Sequence, residues 1–480
     1  MLFRSAQLQA TTVIAYEEND ITQELAAEAL FGAIPVSGRL PVSAGTFFKL
    51  GDGIRYGSTG RLGHSIPEEL GIPTALLAPI DSIVWAGITA QAYPGAQVLV
   101  AVDGRVVVER AYGHHQYDRR IPVRPDDIYD LASITKVAST TLALMRLVDE
   151  GRLDLDRKLG HYLPELERAH PAHARMGLRE ILTHQAGLKA FEPFYLRLMD
   201  KGRFKPGVVS EREEAPYTVR LAPHLYLHQA YADSLLPWVL NTPLAKTKDY
   251  LYSDMGYYLL QAVIERITGK PLDAYVDETF YRPLGATTLG YRPWQRFPLE
   301  RIAPTEEEKH FRGRIIHGDV HDPGAAMMGG VAGHAGLFGS AHDLAKVMQL
   351  LVNGGEYGGR RYLTEGVIRE FTRCQFCKPD GSGNRRALGF DRPSTVPGKG
   401  PTCDCVSYAS FGHTGFTGTM AWADPESRVV YIFLSNRVHP SAEVNKLARM
   451  GIRTQVQEVV HHAVHARQDL HTLDTAGVGR

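Results

Sequence analysis

Asp130-Leu131-Ala132-Ser133-Ile134-Thr135-Lys136 opens an apolar run in which Val137, Ala138, Leu142, Ala143, Leu144, Leu147 and Val148 recur three and four residues apart. That period predicts an amphipathic or buried helix ending near Glu150-Gly151, where glycine suits the cap. Ser133 and Lys136 stand three apart at its start and so share a face. A serine hydroxyl is a poor nucleophile until a neighbour takes or polarises its proton. A lysine in a desolvated pocket does either, as a neutral amine or as a charged ammonium. Backbone N–H groups at a helix start favour negative charge, and the serine's own N–H suits an oxyanion. Alone the pair is a weak signal, because Ser-x-x-Lys recurs by chance in chains of this length and reads equally as a surface first turn. The rest of the chain has to decide.

Its 480 residues suffice for two domains, or for one large domain with an appendage. Lys+Arg and Asp+Glu balance at 53 each, which gives no electrostatic reason to expect nucleic acid or a charged membrane surface. No apolar run of about 18 residues predicts a membrane span, and Met1-Leu2-Phe3-Arg4-Ser5-Ala6 lacks the apolar core of a signal peptide. As it stands the chain reads as cytoplasmic, or as periplasmic or exported if its start is truncated. Cys374-x-x-Cys377 and Cys403-x-Cys405 have the count of a four-cysteine zinc knuckle, but the single-residue spacing is unusual for one. Free thiols are expected, with disulfides only in an exported protein. His317-Gly318-Asp319-Val320-His321-Asp322 has metal-ligand residue types without a helical spacing, so no metal and no cofactor is expected. The glycine-dense stretch around Gly329 to Phe338 lacks the Lys-Ser/Thr of a phosphate loop.

In chain order, residues 1–50 read as an N-terminal extension: a strand around Val13, then a helix capped by Asp20 and ending at Gly32. Its helix and Pro35-Val36-Ser37-Gly38-Arg39-Leu40-Pro41 turn resemble the end of the C-terminal domain of family 3 glycoside hydrolases; no sugar chemistry follows from so short a remnant. Residues 51–65 read as a polar linker. The main domain, 66–465, opens with a helix around Ile80, Val84 and Ile88. A strand from Pro94 to Val102 follows, with an Asp103-Gly104 hairpin and a return through Val106-Val107-Val108. Leu182-Thr183-His184 ends a helix, and His184 is read as bonded to backbone rather than catalytic. Residues 190–245 lack a clean period and are expected to form an insertion over the site. Glu306-Glu307-Glu308-Lys309 reads as a solvated loop, the last segments as strands and a packing helix, and 466–480 as a frayed polar tail.

Three motifs then line up in order: Ser133/Lys136, Tyr252-Ser253-Asp254, and His413-Thr414-Gly415. In this order, and with the Pro94-Gly95 strand entry and the Phe280 to Gly285 helix end, the chain resembles the serine β-lactamase and penicillin-binding-protein superfamily. The likeness is to its class C, DD-peptidase and family VIII carboxylesterase branch. It implies an α/β (α+β) fold: an antiparallel five-stranded sheet flanked by helices, an all-helical region, and the active site between them. It implies Ser133 as acylated nucleophile, Lys136 as its proton partner and Tyr252 as general base or proton shuttle. It also implies Asp254, His413, Thr414, Gly415 and Phe416 as substrate-binding positions, with a second oxyanion N–H near Phe416. Two positions depart from the pattern. Asp254 stands where asparagine is usual, and His413 replaces the lysine of β-lactamases. A mostly neutral imidazole attracts a carboxylate less than an ammonium does.

The expected function is therefore a serine hydrolase, foremost a carboxylesterase on short-chain esters. The alternatives are a muropeptide amidase or DD-peptidase with weak β-lactamase activity, and a non-catalytic penicillin-recognising module. The 331–338 segment and Asn436-Arg437-Val438-His439-Pro440 look like superfamily members found fused to, or encoded near, cell-wall hexosaminidases. The expected partner is a small ester or amide, with no nucleic acid and no membrane.

Overall fold

A computed structural model describes residues 2–4, 11–378 and 382–477. Its central sheet is built from β1 (Gly63–His64), β2 (Gly95–Val102), β3 (Arg105–Gly113), β4 (Phe411–Thr414), β5 (Met420–Asp424) and β6 (Val429–Ser435). The order is β4-β5-β6-β2-β3-β1, antiparallel except for the last pair. This is the expected five-stranded antiparallel sheet with one short parallel strand added from the segment read as a linker. At the opposite rim Asp391 bridges Gly412 of β4. Asp103 and Gly104 both take positive φ, as a two-residue hairpin with right-handed strand twist requires.

β2 is buried along its whole length, which explains an apolar run without polar alternation. Val98, Val100 and Val102 face one core with Ile80 and Val84 of α1 (Pro79–Thr89) and Val456 and Val460 of the C-terminal helix. Leu99 and Ala101 face the other, with Leu344, Val347 and Met348 of the helix Ala341–Val352, and this core continues into the helical region. Burial on both faces is the main source of stability here, at about 1.5–3 kcal/mol per large apolar side chain.

Several expectations are corrected. The N-terminal helix spans Asp20–Leu30, but Asn19 caps it, its side chain accepting from Thr22 N at 2.9 Å. The linker is fastened on both sides: Val36 bridges Tyr56, Leu62 N donates to the Tyr357 hydroxyl, and β1 joins the sheet. Residues 190–245 are only partly a cover. Val208, Leu221, Leu227 and Val239 are fully buried in the main core, because strands Tyr217–Ala222 and Leu225–His228 form a hairpin that packs inward. Glu308 is buried rather than solvated, accepting from the N–H groups of His310, Phe311 and Arg312 at 2.6 Å each. The last helix, Ile452–Gly477, runs through most of the tail expected to fray, and 478–480 lie outside the described residues. Cysteines 374 and 377, and 403 and 405, are paired as disulfides rather than free.

Candidate active site

The helix around Ser133 is not a simple α-helix. Ala132–Ile134 is a 3-10 turn, Lys136–Thr141 is wound as π-helix, and Leu142–Asp149 continues as α. Ala132, just before the serine, has φ 47°, a left-handed conformation that an alanine adopts only under constraint. Asp130 supplies part of that constraint: its buried carboxylate accepts from Ala132 N at 2.8 Å and from His321 N at 2.7 Å. The turn after β4 supplies the rest, since Thr417 and Thr419 hydroxyls donate to the carbonyls of Asp130 and Leu131. A Cβ on Gly415 would come within 2.6 Å of the Leu131 carbonyl oxygen, so only glycine lets this strand approach the serine so closely.

Lys136 is fully buried, and its Nζ donates to Ser133 Oγ at 2.9 Å and to the His334 carbonyl at 3.1 Å. Asp254 Oδ1 lies 2.7 Å from the same nitrogen. Burial alone would lower this lysine, but the Asp254 carboxylate and the Tyr252 phenol outweigh it and hold the ammonium well above its ordinary range. The Tyr252 ring sits 5.1 Å from Lys136 Nζ and 5.8 Å from the His413 ring. All three motifs therefore meet in one cleft of about 720 Å³, which Ser133, Tyr252, Asp254, His413, Thr414, Gly415 and Phe416 line.

His184 takes the structural role expected of it. Its carbonyl accepts from Leu251 N and its Nδ1 from Ser253 N at 3.1 Å, so it clamps the Tyr252 loop from both sides, with its ring 4.6 Å from the tyrosine's. His413 is buried, with Nδ1 on the Thr414 carbonyl at 2.6 Å and Nε2 without a hydrogen-bond partner. Burial, then Arg386 and Lys136, push this imidazole well below its usual range. It is neutral at pH 7.

Arg386 is what sequence reasoning missed. Its guanidinium is buried and stands 5.3 Å over the Tyr252 ring; the residue lines the cleft, and its Nη1 is buried without a hydrogen-bond partner. Asp391 at 3.8 Å is its carboxylate neighbour and is shared with Arg385 at 2.8 Å. No motif frames Arg386, and only folding brings it beside Tyr252. Phe416 is exposed at the cleft, stacked on His321 at 5.6 Å with Arg437 4.3 Å above it. The residues weighed as metal ligands are engaged separately: His317 on the carbonyls of Leu299 and Ile302, Asp319 with Arg220, His321 with Glu306, and Asp322 with His334.

The Beta-lactamase family model matches residues 80–452, which span the whole of this constellation. The chain belongs to the Beta-lactamase family. This family member is 31% identical over 399 residues to a protein described as "Putative D-alanyl-D-alanine carboxypeptidase" from Salmonella agona, covering 78% of this chain and 85% of that one. Its fold is similar to that of EstCE1, a hydrolase with promiscuous acyltransferase activity, with a TM-score of 0.59 at 19% identity over 81% of this chain and 99% of that one. It also resembles a penicillin-binding-protein homologue from Caulobacter crescentus, with a TM-score of 0.57 at 23% identity over 81% and 97%. As a Beta-lactamase family member it is a serine hydrolase with an α/β fold, and the expectation of a non-catalytic module finds no support.

Proposed function

We propose that this hydrolase cleaves peptide-like acyl substrates ending in a free carboxylate, of the D-alanyl-D-alanine type, through an acyl-enzyme on Ser133. The observation that carries the reading is the unpartnered Nη1 of buried Arg386, beside Tyr252 and His413. A planar guanidinium is the complement of a carboxylate, and it supplies the fixed charge that neutral His413 does not. The similarity to carboxypeptidase-described relatives supports the same reading. Two disulfides suit an oxidising compartment, where cell-wall peptide would be met.

In this reading Ser133 Oγ attacks the carbonyl carbon. Lys136, held as ammonium, donates to Oγ rather than accepting from it. Tyr252 relays the serine proton: its hydroxyl gives its own proton to the leaving nitrogen as its oxygen accepts that of Ser133 Oγ, and the C–N bond then breaks. The cations at 5.1 and 5.3 Å from its ring offset negative charge developing on that oxygen during the relay. Backbone N–H groups at Ser133 and near Phe416 hold the oxyanion. Water then attacks the acyl-serine by the same route in reverse and releases the acid.

The carboxylesterase reading stands beside it, because the Ser133–Lys136 contact at 2.9 Å does not involve Arg386 and an ester needs less leaving-group protonation. The test compares a free-acid acyl-D-alanyl-D-alanine peptide, its C-terminal amide, and p-nitrophenyl butyrate, in wild type and Arg386→Gln. Preferential loss on the free-acid peptide supports the proposal. Equal rates on acid and amide, or turnover of esters alone, would overturn it in favour of an esterase.

A further inference from the structure

Among the described residues, one group of side chains away from the cleft brings three metal-ligand atoms within 4.8 Å of one another: His64, Glu109 and His342. They come from three separate elements. His64 ends β1, Glu109 lies in β3, and His342 is the second residue of the helix Ala341–Val352. His64 Nε2 is 3.1 Å from Glu109 Oε2, and His342 Nδ1 is 3.3 Å from the same carboxylate. The two imidazoles are stacked with centroids 5.8 Å apart and 21° between their planes.

We propose that His64, Glu109 and His342 bind a divalent transition-metal ion, zinc by ligand chemistry. Ligand atoms at about 2.0–2.2 Å from a tetrahedral zinc lie about 3.3–3.5 Å from one another, so the two nitrogen–carboxylate separations already fit, and the two imidazole nitrogens, within 4.8 Å of each other, close the set by drawing in around an ion. Two imidazoles and one carboxylate are a zinc donor set, and the partial exposure of His64 leaves a path for the ion and a fourth position for water.

A fourth residue makes this more than a chance cluster. Glu28, in the N-terminal helix, lies 2.6 Å from His64 Nδ1 and also accepts from His64 N. Metal-bound histidines commonly give their second ring N–H to a carboxylate, which fixes ring orientation and tautomer. Here that contact turns Nε2 towards Glu109 and His342. Two carboxylates and a doubly charged ion also balance. None of these residues lines the cleft, so the ion would act as a clasp between the N-terminal arm and the sheet, without entering the reaction.

The experiment uses the full chain, treated with EDTA and dialysed, then titrated with Zn²⁺ and separately with Co²⁺. The expected result is one equivalent of zinc, a tetrahedral Co²⁺ absorption band, and a rise in melting temperature reversed by chelator. His342→Gln and Glu109→Gln should abolish all three. Glu28→Ala should weaken zinc binding roughly 10- to 100-fold without abolishing it. Because both disulfide pairs occupy the four cysteines, thiolates do not compete in the oxidised protein. If a variant fails to fold, the Co²⁺ spectrum of the wild type still decides: octahedral or absent bands overturn the proposal. So does zinc uptake unchanged in His342→Gln, and the cluster is then a hydrogen-bonded network only.

Discussion

Asp254 Oδ1 lies 2.7 Å from Lys136 Nζ, so a carboxylate stands on the buried lysine where the superfamily pattern has an amide. The consequence is a lysine that stays charged. Asp254→Asn removes the group that holds Lys136 up, so the ammonium is lost at a lower pH. The alkaline limb of the kcat/KM profile for p-nitrophenyl butyrate should therefore move to lower pH. Stability should fall by about 1–3 kcal/mol, less than for outright loss of a partner because the amide oxygen remains. An alkaline limb that does not move would show that Asp254 does not set the lysine's protonation.

Ser133→Ala should leave less than about 1% of ester turnover, and Lys136→Ala should do the same without an additive effect in the double variant, because the two act as one unit. Melting curves separate this from misfolding: the serine variant should melt close to wild type, whereas the lysine variant leaves Asp254 without its cation.

His413→Lys would add a third cation beside Lys136 and Arg386, the two that already depress the histidine. A lone imidazole at this position would make the lysine variant much better on anionic β-lactams. With Arg386 in place the gain should be smaller, under about tenfold in kcat/KM, and set against like-charge repulsion. The ratio of nitrocefin to p-nitrophenyl butyrate rates, across pH 6 to 8, checks this; a gain well above tenfold would mean that Arg386 does not serve the carboxylate.

Phe191 and Tyr195 line the cleft, whereas Leu227 is fully buried in the main core. Tyr195→Ala should raise KM with little change in melting temperature. Leu227→Ala should cost about 2–5 kcal/mol, read by urea unfolding, and deletion of residues 205–220 should abolish folding.

Stability should decline on acidification. His184, His413 and His461 are buried, and burial lowers all three, His461 to about 4. A histidine near 6.5 in the unfolded chain and near 4 in the folded one binds its proton more readily unfolded. Its contribution is complete above pH 6.5 and is lost as pH falls towards 4. Urea unfolding between pH 4 and 7 should show this slope, and His461→Gln should flatten it. An equal slope in the variant would place the effect elsewhere.

How much of this was legible depended on range along the chain. Ser133 and Lys136 were readable because a helical turn fixes their shared face, although the π-helical winding was not. The β2–β3 hairpin was readable from Asp103-Gly104, which needs positive φ. Arg386 was not, because its neighbours Tyr250 and Tyr252 lie more than a hundred positions away and no local pattern marks it. Residues 190–245 misled for a related reason. Short bulged strands blur the period-two signal, so a buried hairpin reads as loop. Glu308 misled because a charge run looks solvated until backbone N–H groups are found to satisfy it.

β1 pairs with Arg105 and Val106 at one rim of the sheet, and Asp391 bridges Gly412 at the other. Open strand edges are templates for pairing with another chain, and short or bridged edges blunt them. The short strand from the linker segment therefore closes the start of that edge, and a chain trimmed back to residue 66 would bare the backbone of Arg105 and Val106 to pairing with a neighbour.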